Sequence, residues 1–257
     1  MARCLRTAHA LGDAARALSL AAFRRPQPLR FKADGSVVTR TDLRIETLWR
    51  EQIAQRHPEH GIVGEELAAH RPQARWVWVL DPIDGTASFV SGIPLWGALI
   101  GLLCEGRPVL GLLDVPTLDE RWSALRGAPA RRRQHGRALR CRTSGCSELA
   151  HARLSMPDPD GFTLRQRAAL RRIAQRVVLH RYGGDCVNYG LLASGQLDLV
   201  VEAGLAPHDV LPLVPIVHAA GGVISDWTGN ALSLTSPGHV VAAANRALHA
   251  EALAALA

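Results

Sequence analysis

Apolar residues recur along this chain at two spacings, and the switches between them mark out its elements. Near the N-terminus Leu11, Ala14, Leu18 and Ala21 follow a three-four spacing, which predicts a helix with one buried face. Lys32-Ala33-Asp34-Gly35 reads as a turn into a short strand at 36–39. A second helix is expected over 42–56, where Ile45, Leu48, Trp49 and Ile53 share a face and Thr41 or Asp42 caps the start. Residues 61–64 read as a short strand that runs into Glu65-Glu66. Residues 77–80, Val-Trp-Val-Leu, are apolar without alternation, the pattern of a strand buried on both faces. A helical turn is expected at 85–89, then paired strands at 97–103 and 109–114 joined through Glu105-Gly106-Arg107.

The segment 127–148 is basic and poorly periodic, which makes it the expected boundary between two halves, 1–130 and 145–257. Beyond it the pattern alternates. Strands are expected at 152–155, 177–180, 197–202 and 222–225, with helices at 163–176, 184–193 and 210–220 between them, an α/β half built on crossovers.

Composition narrows the class. A chain of 257 residues with 47% apolar side chains can bury a large core. Its longest uncharged apolar run, 97–104, falls far short of the roughly 20 residues a membrane helix needs, so no membrane partner is expected. Five scattered cysteines suit reduced thiols and a cytoplasmic setting. Cys141, Cys146, His135 and His151 lack the spacing of a zinc finger. The net charge of +7 is densest around residues 130–143. Aromatic residues are only 5% and do not interleave with those arginines, so a solvated loop is the expectation over a nucleic-acid surface.

Three apolar stretches end in acids: Glu65-Glu66, Asp81 with Asp84, and Asp209. A charge left unpaired in a buried strand costs several kcal/mol, so these acids must face either water or a cation. An Asx-type turn with solvated acids is one reading of Asp81-Pro82-Ile83-Asp84-Gly85-Thr86; convergent ligands for a hard divalent cation are the other. A calcium-binding EF-hand loop is excluded, because Ile83 stands two residues after Asp81. The turn opening at Gly85-Thr86-Ala87 offers free N–H groups to an anion. Metal and phosphate at one corner is the arrangement of metal-assisted phosphoryl hydrolysis.

The ordered motifs GEE at 64–66, DPIDGT at 81–86 and AGLAPHDVLPLVPIVHAAGGVISDWTG at 203–229, with KADGSVVTRTD at 32–42, resemble the inositol monophosphatase superfamily. The resemblance implies an α+β fold, a layered α-β-α-β-α sandwich of the inositol monophosphatase and fructose-1,6-bisphosphatase type, as one phosphatase domain of two packed halves. It implies two or three Mg²⁺ ions. Glu65, Asp81 and the Ile83 carbonyl would hold the first, Asp81, Asp84 and Asp209 the second, and Glu65 with water a third; Glu66 would stand behind them. Asp42 and Thr86 would orient and deprotonate the attacking water, with Glu65 also catalytic, and the N–H groups of Gly85 and Thr86 would bind phosphate. It also implies a homodimer acting on a small phosphorylated metabolite.

Within the superfamily, residues 181–195 and 198–205, Gly92-Ile93-Pro94-Leu95-Trp96-Gly97 and Ser155-Met156-Pro157-Asp158 look most like the histidinol-phosphatase branch. Histidinol phosphate carries an ammonium group beside its ester, and an added carboxylate would favour it through charge-assisted hydrogen bonds. Asp185 and Glu202 are the candidates, with Asn188 placed to contact the imidazole. Capping a helix is the alternative role for Asp185, and a solvated strand end the alternative for Glu202. Inositol-1-phosphate and 3′-phosphoadenosine-5′-phosphate are the rival substrates, and a basic nucleic-acid-associated scaffold without turnover is the rival class. Ala87, His208 and Leu211-Pro212 depart from the superfamily pattern and bear on substrate more than on chemistry.

Overall fold

A computed structural model describes residues 1–26, 30–31, 37–158 and 162–257. The expected turn at 32–35 and the superfamily lysine at Lys32 lie outside the described residues, as does the first residue of the strand expected at 36–39. No helix among the described residues is long and apolar enough to cross a membrane.

Five layers stack in the order helix, sheet, helix, sheet, helix, as the resemblance implied. The outer pair is α1 (Ala2–Ala22) and α2 (Arg40–Arg56). Beneath it lies a seven-stranded sheet: β3 (Gly61–Gly64), β4 (Trp76–Asp84), β5 (Gly97–Cys104), β6 (Arg107–Val115), β7 (Glu120–Leu125), β8 (Arg131–Gln134) and β9 (Arg137–Arg140), in chain order. Only β3 and β4 pair in parallel. A two-stranded piece, β1 (Arg30–Phe31) with β2 (Val37–Val38), precedes α2. The middle layer holds α5 (Val187–Ala193), α6 (Pro207–Val210) and α7 (Leu213–Ala220). The second sheet contains β10 (Arg153–Met156), β11 (Leu179–Tyr182), β12 (Leu199–Glu202), β13 (Val223–Ser225) and β14 (Val240–Ala243), in the order β11-β10-β12-β14-β13. Helices α4 (Leu164–Ala174) and α8 (Arg246–Leu256) close the far side, and α3 (Thr86–Val90) follows β4.

The unbroken apolar run of β4 has its explanation in this stacking. Trp78 and Leu80 point into the core under α1 and α2, while Val77 and Val79 point into the core shared with α5, α7 and the second sheet. A strand buried on both faces needs no polar alternation. Burying a Val or Leu side chain contributes about 1.5–3 kcal/mol, so each face holds the sheet firmly.

Several local expectations shift. Helix α1 buries Ala8, Leu11, Ala15 and Ser19 rather than the expected Leu11-Ala14-Leu18-Ala21 stripe; Ala21 is exposed. Small residues let the helix lie close to the sheet, and a Cβ on Gly12 would meet Arg121 and Leu112 at 3.2 and 3.3 Å. The cap of α2 is Thr39, not Thr41 or Asp42, and Asp42 closes a capping box with it. The expected helix 210–220 is broken between α6 and α7 at Leu211-Pro212. Pro212 lies against Gly101 and Gly111, which face each other across β5 and β6, and no larger side chain would leave that space.

The basic segment is not a boundary without structure. Residues 131–140 form the hairpin β8-β9, which extends the first sheet past the expected limit at 130. Its arginines carry no apolar alternation, so hydropathy did not reveal the strands. Strand β7, strand β14 and helix α8 were likewise not foreseen.

Candidate active site

Strand β4 does not stop at Leu80; its pairing with β5 continues to Asp84 through a one-residue irregularity, since Asp81 faces Leu99 and Asp84 faces Gly97. Pro82, which has no N–H to give the ladder, lies in this bulge. The Ile83 N–H donates to Asp81 Oδ1 at 3.0 Å, and the Ile83 side chain fills the outer core. The Asx turn expected as an alternative is therefore present, but it is buried: Asp81 is only 1% exposed.

Asp209 approaches from the other half. It stands in α6, where its Oδ2 accepts the Ala206 N–H at 2.7 Å and His208 Nε2 lies 3.3 Å from its Oδ1. Carboxylate oxygens of Asp81, Asp84 and Asp209 lie within 4.8 Å of one another. The Glu65 N–H donates to the Leu80 carbonyl at 3.1 Å, which seats Glu65 beside Asp81. Burial, then the charges of Glu65, Asp84 and Asp209, push Asp81 well above the usual carboxylate range. Burial with Asp185 and Asp209 does the same to Asp84, although the Cys186 N–H bonded to its Oδ2 at 2.6 Å pulls the other way.

Asp42 lies at the start of α2, fully buried. Its Oδ2 accepts from the N–H of Thr39 at 3.0 Å and from the Thr39 hydroxyl, whereas Oδ1 has no hydrogen-bond partner among the described residues. Burial pushes its pKa up to about 6 against the Thr39 bonds, with Glu65 adding to the rise. The hydroxyl of Thr86 donates to the Ile83 carbonyl at 2.9 Å. Gly85 takes φ +82, and a Cβ there would come within 2.7 Å of Asp185 Oδ2, so this position requires glycine.

The residues expected to read the substrate divide. Asp185 does not cap α5 with its side chain; its Oδ2 accepts the Ser88 hydroxyl at 3.2 Å. Gly183, Gly184 and Asp185 all have positive φ, and Asp185 is held at +45, a conformation few non-glycine residues adopt. Glu202 is no solvated strand end. It is 7% exposed, and burial with Asp185 and Asp209 nearby pushes it up to about 8. Asn188 has another employment: its amide donates to the Gly183 carbonyl at 3.1 Å and supports the 183–185 turn.

Sequence reasoning missed four contributors. Thr39 positions Asp42, and the spacing Thr39-x-x-Asp42 was a legible capping-box signal. Glu46, fully buried, accepts the N–H groups of Glu66 and Leu67 at 2.8 and 3.2 Å while bonding Arg50, so it holds the Glu65-Glu66 turn. Ser88 orients Asp185. The Tyr189 hydroxyl, buried beside Glu202, makes no hydrogen bond within normal limits among the described residues.

A sequence profile of the Inositol monophosphatase family matches residues 2–257. A chloroplastic bifunctional phosphatase of Arabidopsis thaliana is 40% identical over 257 residues, covering 96% of this chain and 73% of that one. A histidinol-phosphatase of Mycobacterium tuberculosis is 35% identical over 231 residues, covering 88% of this chain and 86% of that one. Among solved structures, an inositol monophosphatase from Zymomonas mobilis superposes with a TM-score of 0.88 at 41% identity, covering 98% of this chain and 96% of that one.

Proposed function

The chain belongs to the inositol monophosphatase family, and from that premise we propose that it is a Mg²⁺-dependent phosphatase whose preferred substrate is histidinol phosphate. The observation that carries the substrate is the placement of Asp185 and Glu202. Glu202 is buried and Asp185 half-buried beside the Asp81-Asp84-Asp209 group, and neither belongs to it.

The donor set fits Mg²⁺. Hard carboxylate oxygens converge within 4.8 Å, and the charges that raise Asp81 are themselves acids, so a divalent cation would relieve the repulsion. Glu65, Asp81, the Ile83 carbonyl, Asp84 and Asp209 would hold it. Bound there, Mg²⁺ supplies Lewis acidity toward the phosphoryl oxygens and lowers the pKa of water.

The chain's own groups do the rest. Asp42, with Oδ1 unsatisfied and a pKa near 6, is the base that receives the proton of the attacking water, and the Thr86 hydroxyl orients that water. The N–H groups of Gly85 and Thr86 bind the phosphate oxygens. Asp185 and Glu202 accept the substrate ammonium in charge-assisted hydrogen bonds, which an inositol ring cannot return. The 35% identity to the histidinol-phosphatase of Mycobacterium tuberculosis supports this reading.

Inositol monophosphate is the second reading, favoured by the Zymomonas likeness at 41% identity. Comparing kcat/KM for the two esters with Mg²⁺ decides between them. A preference of about tenfold or more for histidinol phosphate is expected; equal or reversed values would remove that substrate and leave the phosphatase class standing. The family premise also supports a homodimer, which light scattering would report directly.

A further inference from the structure

The end of the first sheet remote from Asp81 carries the opposite charge. There Cys104 pairs with Arg107, Leu110 with Leu125 and Arg131 with Arg140, so the start of β6 and the ends of β7 and β9 lie together. They border a cleft of about 890 Å³ closed on its other side by α7. Arg107, Arg126, Arg140 and His218 line it over an apolar floor that includes Val214 and Ile224.

A concave lining with cations and no counter-charge sets this cleft apart from an ordinary basic surface. Among the described residues that line it none is acidic. The guanidiniums of Arg107, Arg126 and Arg140 make no ion pair or side-chain hydrogen bond with a described residue, so all three are available to a ligand in the cleft. Backbone bonds fix the walls: the Arg126 N–H donates to the Val109 carbonyl at 2.8 Å, and the Ala130 N–H to the Ala219 carbonyl at 3.3 Å. The arginines therefore stand on strand ends and a tied loop rather than on a free one.

We propose that this cleft is a second binding site, separate from the phosphatase centre, for a phosphorylated small molecule with a flat, largely apolar body. Guanidinium forks match phosphate oxygens in bidentate geometry, and three of them around one concavity provide for more than one phosphate group. The floor accepts the body of the ligand. The volume lies within the roughly 300–1,000 Å³ of small-molecule sites, and no aromatic platform for a nucleic-acid strand lines it. One arginine of the site, Arg140, comes from the basic segment to which the phosphatase reading gives no role.

Calorimetric titration of the full chain with ADP in EDTA tests the site. Without a divalent cation the Asp81-Asp84-Asp209 centre repels anions, so binding measured there reports on the cleft. Saturable binding of one ADP per chain is expected, tighter than that of inorganic pyrophosphate and about tenfold weaker in the R126Q/R140Q double variant. Arg137→Gln, an exposed arginine of the same hairpin outside the cleft, should leave the affinity unchanged, and all chains should melt alike. Absence of saturable binding would overturn the proposal, as would equal loss in Arg137→Gln or undiminished binding in the double variant. Pyrophosphate binding as tightly as ADP, or an oligouridylate binding more tightly than either, would also overturn it. None of these outcomes bears on hydrolysis at the acidic centre.

Discussion

Asp114 and Asp81 lie on β6 and β4, two strands apart in one sheet, and both are shut away from water, at 0% and 1% exposure. Asp114 is met by two guanidiniums: Arg16 donates from Nε and Nη2 at 3.1 and 2.8 Å, and Arg121 from Nε at 2.7 Å. Arg121 in turn bonds Asp13, so the charges close on themselves. Asp81 is met by more carboxylates. The same chain, rich in arginine, supplied cations to one buried acid and none among its described residues to the other. The first arrangement stabilises a fold. The second gathers like charges in a buried place, which is the physical signature of a site rather than of a core.

The sharpest way to break this contrast is to remove one acid from each group. Asp84→Asn or Asp209→Asn should lower turnover about a thousandfold or more in a phosphate-release assay, while the metal-free variant melts no lower than the parent because a repulsion has gone. Retained turnover in both would dissolve the contrast from the functional side. Asp114→Asn should do the reverse. It leaves two cationic groups short of a partner and should cost about 3–5 kcal/mol in denaturant titrations, with activity retained by whatever fraction folds.

A pH series sharpens the comparison further. Glu202 is raised from 4.5 to about 8 in the folded chain, so the native state keeps this proton where the unfolded state has lost it. Its contribution to stability is complete below about 4.5 and disappears as pH climbs through about 8. Metal-free protein should therefore lose melting temperature across that interval, and Glu202→Gln should flatten the decline; identical slopes would place the charge repulsion elsewhere. The smallest effect expected is on recognition. Asp185→Ala should raise KM for histidinol phosphate about tenfold relative to an aryl phosphate, and an unchanged ratio would reduce Asp185 to a partner of Ser88.

How far this was legible depends on whether the signal was local. The apolar run 77–80 and the acids behind it could be read directly, because a doubly buried strand has no reason to end in two carboxylates unless they meet something. The capping-box spacing of Thr39 and Asp42 is equally local, although Thr41 and Asp42 compete with Thr39 as caps on residue type alone. Asp114 was opaque for another reason: Arg16 lies 98 residues from it in sequence, and only the packing of α1 against β6 brings them together. The β8-β9 hairpin was hidden because its strands are held by backbone pairing at a solvated edge and have no apolar face to advertise them. The roles of Glu46 and Asn188 follow the same rule, since each holds a turn through backbone groups that leave no trace in hydropathy.

The claim beneath all of this is that the acids converging from β4 and α6 exist to hold a divalent cation during phosphate-ester hydrolysis. Phosphate release from histidinol phosphate, followed while Mg²⁺ is titrated into EDTA-treated protein, tests it most directly. The account predicts no release without the ion, saturable release with it, and none at any Mg²⁺ concentration in Asp84→Asn. Release that proceeds undiminished in EDTA, or that Asp84→Asn supports as well as the parent, would contradict it.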